Sequence, residues 1–201
     1  MRSFSSSVPL NRRGFLAVAA AGSMTFLAAC TEKSELAKQA EQGGSKNYIA
    51  GDGSVEEYAP ENRKDPVEFS SELFDGTNLT QADVIGSVTV LNFWYAACAP
   101  CRIEAPHLAE LYETYKSKGV KFYGVNVRDA KGTAEAFERN FNIKYPSFED
   151  RTAKMLLAMT DYVPPQAVPT TLVLDKEGRV SARILGAVEK STLKALIESV
   201  L

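Results

Sequence analysis

The stretch VLNFWYAACAPCRIEAPHLAELY, residues 90–112, changes periodicity within a few positions. Its first part belongs to the β-branched and aromatic run VTVLNFWYA at 88–96, the pattern of a strand buried on both faces. Its second part extends through PCRIEAPHLAELYETYKSKG and reads as a helix. Ile103, Leu108, Leu111, Tyr112 and Tyr115 mark its apolar stripe, and Gly119 stands where a C-cap belongs. Cys98 and Cys101 fall at the junction. Pro100 enters the first helical turn, where a missing N–H costs nothing. Cys98 therefore meets the positive end of the helix dipole and its unpaired N–H groups, which stabilise a thiolate. Such settings lower a cysteine pKa below its free value of about 8.5, and the thiolate is the species that attacks a disulfide. Cys101, about one turn on, is placed to close a small disulfide. Cys98 is thus expected as the exposed nucleophile and Cys101 as the more buried resolving thiol.

Three other readings of the pair compete with this one. Half a zinc site needs two more ligands. His107 lies six residues past Cys101, about 240° around the helix, and does not easily converge with the pair, so no metal is expected. A structural staple gains little entropy from so short a loop. Two reduced bystanders conflict with an oxidising compartment, which the N-terminus indicates.

Residues 1–13 are polar and basic, and FLAVAAAGSMTFLAA at 15–29 carries no charge. A basic segment followed by a short apolar one reads as an export signal over residues 1–29; a membrane span needs about 20 apolar residues. Arg12-Arg13 followed by Gly14-Phe15-Leu16 resembles a twin-arginine signal, although a general secretory route also fits. LAAC at 27–30 resembles the bacterial lipobox. That resemblance makes Cys30 the acylated first residue of the mature chain and accounts for the third cysteine. Residues 30–65 are polar and broken by Gly-Gly, Gly-Asp-Gly and Pro60, the composition of a flexible tether with an end-to-end distance of roughly 30–35 Å. Without residues 1–29 the chain has 20 basic against 25 acidic residues and no basic run, so nucleic acid is not an expected partner.

Residues 66–201 suffice for one domain. VEFSSELF and TNLTQADVIGS suggest an N-terminal hairpin. VKFYGVNV is a second strand. TAEAFERNFNI is a helix with Thr133 as N-cap, and TAKMLLAMT a shorter one. TTLVLD and RVSARILG, joined by Lys176-Glu177-Gly178, form a hairpin, and EKSTLKALIESVL closes the chain as a helix. The order predicts an α/β fold whose central sheet, parallel for the most part with one antiparallel hairpin, is flanked by helices on both faces.

Residues 90–112 resemble the active-site segment of the thioredoxin superfamily, in particular the membrane-tethered thiol–disulfide oxidoreductases of the TlpA and ResA type. AVPTTLVLDKEGRV resembles the cis-proline segment and hairpin of the same family. The likeness covers roughly residues 66–201. It implies a thioredoxin fold with a mixed sheet, dithiol–disulfide exchange through Cys98 and Cys101, and no cofactor. It implies that Pro169 is cis and faces the cysteines, and that the backbone at Val168 pairs with an extended substrate peptide. Glu104 matches the acidic residue that tunes proton transfer in ResA-like proteins; Asn92 stands where thioredoxin itself has a buried aspartate. Trp94, Ala97 and Pro100 join Val168 as candidates for the substrate-facing surface, with Ala97 where the family often carries tryptophan. The implied partners are disulfide-bearing exported proteins such as apocytochrome c and a membrane-embedded thiol donor. The implied location is the outer face of a bacterial cell membrane, held by lipid on Cys30. A disulfide-forming oxidase and a copper metallochaperone remain as rivals. A peroxidase of the related peroxiredoxin group is disfavoured, because WYAACAPC lacks the Thr-x-x-Cys setting of a lone peroxidatic cysteine.

Overall fold

A computed structural model describes residues 55–201. The expected export signal, the acylation site Cys30 and the tether up to residue 54 lie outside the described residues.

Six strands form one mixed sheet in the order β1-β8-β7-β4-β5-β6. The strands are β1 (Val55–Glu57), β4 (Thr89–Trp94), β5 (Lys121–Asn126), β6 (Ser147–Glu149), β7 (Thr170–Leu174) and β8 (Val180–Leu185). β4 is buried along its whole length, as its unbroken apolar run requires. It pairs parallel with β5 and antiparallel with β7. The sheet is not parallel for the most part as expected: only β4–β5 and β5–β6 are parallel, β7 and β8 form the expected hairpin, and β7 also pairs antiparallel with β4 and β1 with β8. A separate hairpin joins β2 (Ser70–Glu72) and β3 (Asn78–Thr80).

The period-2 alternation of β4 sorts the two cores. Val90 faces a cluster with Leu108, Leu111 and Tyr115 of α1 (Ala99–Tyr115) and Leu193, Leu196 and Ile197 of α4 (Lys190–Glu198). Leu91 and Phe93 face the opposite cluster, with Phe69, Phe148, and Met155 and Leu156 of α3 (Lys154–Ala158). Helices therefore cover both faces, which is the thioredoxin arrangement.

Several expectations change. Val55–Glu57, assigned by the sequence reading to the tether, is an edge strand: Val55 is buried and paired with Ile184. The edge of β8 would otherwise lie unpaired. β6, the three residues that follow Pro146, is too short to show a periodicity and is absent from the sequence expectation. The helix α2 (Lys131–Asn140) has Ala130 as its N-cap, so Thr133 lies inside it rather than capping it. In α1 the buried positions are Cys101, Glu104, Ala105, Leu108, Ala109, Leu111 and Tyr115. Ile103 is off that face and 66% exposed, and an acid takes the place expected for it. α1 continues through Pro106 and ends in a 3-10 turn closed by Gly119 at φ +80°, the anticipated left-handed cap.

Candidate active site

The carboxyl end of β4 delivers the chain to the N-terminus of α1, and the two cysteines straddle that boundary. Cys98 is the N-cap and Cys101 the third helical residue. They are joined in a disulfide with their Cα atoms 5.3 Å apart. The Cys101 N–H donates to Cys98 Sγ at 3.2 Å, so the sulfur takes the role that a serine or aspartate oxygen usually has at an N-cap. Ala97, Ala99 and Pro100 around it are exposed. The two cysteines themselves are equally enclosed, at 3% and 2% exposure, so in the oxidised pair exposure does not separate nucleophile from resolving thiol. The helix terminus distinguishes them only in that Cys98 Sγ accepts a backbone N–H there.

The Val168–Pro169 peptide is cis. Pro169 is buried, and the Val168 carbonyl oxygen lies 3.9 Å from Cys98 Sγ. The Val168 N–H donates to the Gln166 carbonyl at 3.2 Å, so pairing with an incoming peptide at that N–H requires the small turn to open. Trp94, a candidate for the substrate-facing surface, is instead buried. It shares the face of Val90 and Asn92, stacks on Phe137 at 4.4 Å and packs in one cluster with both cysteines. β4 is buried on both faces, so alternation decides only which core the indole joins. Gly124 leaves the room for the indole: a Cβ there would stand 2.6 Å from Trp94 Nε1 and 2.2 Å from Ser147 Oγ.

One helical turn beyond Cys101, Glu104 is fully buried. Its Oε1 accepts from Asn92 Nδ2 at 2.7 Å and its Oε2 from the Val188 N–H at 2.8 Å. Asn92 Nδ2 also donates to Thr171 Oγ1 at 3.0 Å. Burial outweighs these hydrogen bonds and pushes the Glu104 carboxyl from the ordinary 4.5 to about 7. His107 Nδ1 sits 3.0 Å from the Val188 carbonyl, which fixes a proton on that nitrogen. The histidine is half-buried rather than on the surface, and it holds the β8–α4 loop beside Glu104 instead of approaching the cysteines.

The sequence reading missed the second loop of the site. Parallel pairing sets Trp94 opposite Asn126, so Val127–Asp129 emerge beside Tyr95–Ala97. Asp129 Oδ2 accepts from the Ala96 N–H at 2.6 Å and from Asn126 Nδ2 at 3.0 Å. The Arg128 guanidinium lies over the Tyr95 ring at 3.9 Å. The signal was available: in a sheet of this kind functional loops gather at the carboxyl ends of adjacent parallel strands, and NVRD follows such a strand.

The AhpC/TSA family model matches residues 63–183. A thiol-disulfide oxidoreductase ResA of Geobacillus thermodenitrificans is 36% identical over 133 residues, 66% of this chain and 74% of that protein. The ResA of Bacillus subtilis is 31% identical over 129 residues, 64% and 70% of the two chains. Among solved structures, a DsbF homologue from Corynebacterium diphtheriae aligns with a TM-score of 0.65 at 34% identity, covering 78% of this chain and 99% of its own. A disulfide at a helix N-terminus, a facing cis-proline and these matches lead to one assignment: the chain belongs to the AhpC/TSA family of the thioredoxin superfamily, among its ResA-type thiol–disulfide oxidoreductases.

Proposed function

We propose that the protein is exported, anchored by lipid on Cys30 at the outer face of a bacterial cell membrane, and reduces disulfides in exported proteins such as apocytochrome c. The observation that carries the reductive chemistry is the Cys101 N–H on Cys98 Sγ at the start of α1, a ready-made thiolate site. The Cys98 thiolate attacks one sulfur of a substrate disulfide. That S–S bond breaks, the other substrate sulfur leaves and takes a proton, and a mixed disulfide remains. Cys101 passes its proton to the Glu104 carboxylate and attacks Cys98 Sγ. The second substrate sulfur leaves and is protonated, and two electrons have moved from the cysteine pair to the substrate. A carboxyl near pH 7 suits both taking and returning that proton. Val168 and Pro169 face the substrate chain, with Ala97 and Pro100 on the open side. An oxidising exterior does not re-reduce the pair, so a membrane-embedded thiol donor completes the cycle.

The test has two parts. Cys101→Ser is expected to accumulate mixed disulfides through Cys98 with exported proteins, readable by diagonal electrophoresis; no adducts would remove the exchange reading. Equilibration of the pair in thiol buffers is expected to give a potential below about −220 mV; a value above about −150 mV would reverse the direction, to an oxidase that introduces disulfides.

A further inference from the structure

Two arginines flank the disulfide, and each is laid on an aromatic ring. Arg102 is one turn past Cys98. Its guanidinium lies 5.1 Å from the Phe141 ring centroid, and Nη1 donates to the Ala96 carbonyl at 3.4 Å. Arg128 comes from the loop after β5 and covers Tyr95, three residues before Cys98. Both are exposed. Arg63, Arg139, Arg179 and Arg183 each have a carboxylate within 4.0 Å. Among the described residues Arg102, Arg128 and Arg151 have none, and of these only Arg102 and Arg128 touch the Tyr95–Ala96 segment beside the disulfide. The acids close to them in sequence are otherwise engaged: Asp129 accepts from Ala96 and Asn126, and Glu104 is buried. The surface near them is apolar, formed by Ala97, Ala99, Pro100 and Ile103; among the described residues Ile103 is the most exposed of the large hydrophobic side chains.

A guanidinium resting on a ring is already ordered, so it loses little freedom on meeting a carboxylate. Charged groups around a docking surface act on encounter and on choice of partner more than on raw affinity. On a chain with net charge −2, two unpaired cations beside the reacting sulfurs form a local field of opposite sign.

We infer that Arg102 and Arg128 are specificity determinants: they select polypeptide substrates whose disulfide is flanked by aspartate or glutamate, with an apolar residue against Ile103. The inference rests on the exchange reading above and names its substrate class. The carboxylates take no part in bond making; the electrons follow the dithiol route already described.

The experiment offers the reduced protein three synthetic peptides, each closed by one disulfide and flanked by glutamate, serine or lysine. Second-order rates of peptide reduction are measured at low and at 0.5 M salt. The expected order is glutamate over serine over lysine, about tenfold or more from first to last at low salt, shrinking toward unity at high salt. In R102Q/R128Q the ratio is expected to fall to within about twofold. The ratio is the readout because losing a nearby cation also changes the Cys98 thiolate, and that change divides out. Both side chains are exposed, so the double substitution does not threaten the fold. A ratio near one in the parent protein, or one that survives in the variant, overturns the inference and leaves disulfide exchange standing. Absence of exchange with all three peptides brings down the exchange reading and this one together. Arginine-dependent binding to anionic phosphatidylglycerol vesicles with a peptide ratio near one would assign the cations to a lipid surface instead and overturn the inference.

Discussion

Glu104→Gln isolates the electrostatics under the disulfide. The native carboxyl titrates at about 7, against 4.5 when the chain is unfolded and the group solvated. Between those values the native state holds a proton that the unfolded state has released. Stability from this group is therefore fully present below pH 4.5, falls as pH rises through 7, and is level above it. At about 1.4 kcal/mol per pH unit the total loss is about 3 kcal/mol. Glutamine has no proton to lose. It is accommodated if its Oε1 accepts from the Val188 N–H while Asn92 turns its amide to present Oδ1 to the new NH₂ group. Thr171 Oγ1, which now accepts from Asn92, then donates to it. Urea unfolding of the oxidised protein and of E104Q at intervals from pH 4.5 to 9 gives the comparison. Other titrating groups contribute equally to both, so the difference curve belongs to Glu104. It is expected to rise by about 3 kcal/mol in favour of the variant between pH 4.5 and pH 8.5. A flat difference curve would show that the carboxyl ionises at an ordinary pKa, and the argument from burial would fail.

Two further substitutions probe how the site is held. Gly124→Ala sets a methyl group against Trp94 Nε1 and Ser147 Oγ and is expected to cost about 1–3 kcal/mol of unfolding free energy; G124A/S147A recovers only part, because the indole contact stays. Asp129→Ala leaves the Ala96 N–H without its acceptor and is expected to cost about 1–3 kcal/mol. Amide hydrogen exchange at Ala96 is expected to quicken in D129A, and unchanged protection there would remove Asp129 from the account of the active-site loop.

The central strand, α1, the β7–β8 hairpin and the C-terminal helix were legible because each carries an unambiguous period or turn signal. Cys98 and Cys101 were legible because a strand-to-helix junction has its own chemistry. The failures share a cause: they depend on tertiary pairing that local pattern does not encode. Val55–Glu57 is polar in two of three positions and is a strand only because β8 offers an edge. β6 is three residues long and is fixed by β5. Ile103 looked like part of the apolar stripe, yet the face of α1 is set by Cys101, Ala105 and Leu108, which leaves Ile103 in solvent and draws Glu104 inside. Trp94 was read as partly core yet kept as a substrate-facing candidate; a strand buried on both faces leaves it wholly inside. Pro169 was assigned cis by family resemblance, and its geometry agrees.

The spacing of Cys98, Cys101 and Glu104, three residues apart each time, is itself an argument about mechanism. Residues at i and i+3 lie on one side of a helix, one turn apart. The first of these caps the helix from outside, the second sits at its third position, and the third is sealed against β4. One stripe thus runs from the sulfur that caps the helix to an acid that water does not reach. A polar group needed only to hold Asn92 and Val188 in place would be served by an amide, which carries no penalty above pH 7. An acid at that position destabilises the fold by about 3 kcal/mol once ionised, a disadvantage that makes sense where the proton is used. On the proposed reading, sulfur exchange happens at the outer end of the stripe and proton storage at the inner end. The rate of the Cys101 step should then follow the ionisation of Glu104 near pH 7, whatever the substrate's own thiols do.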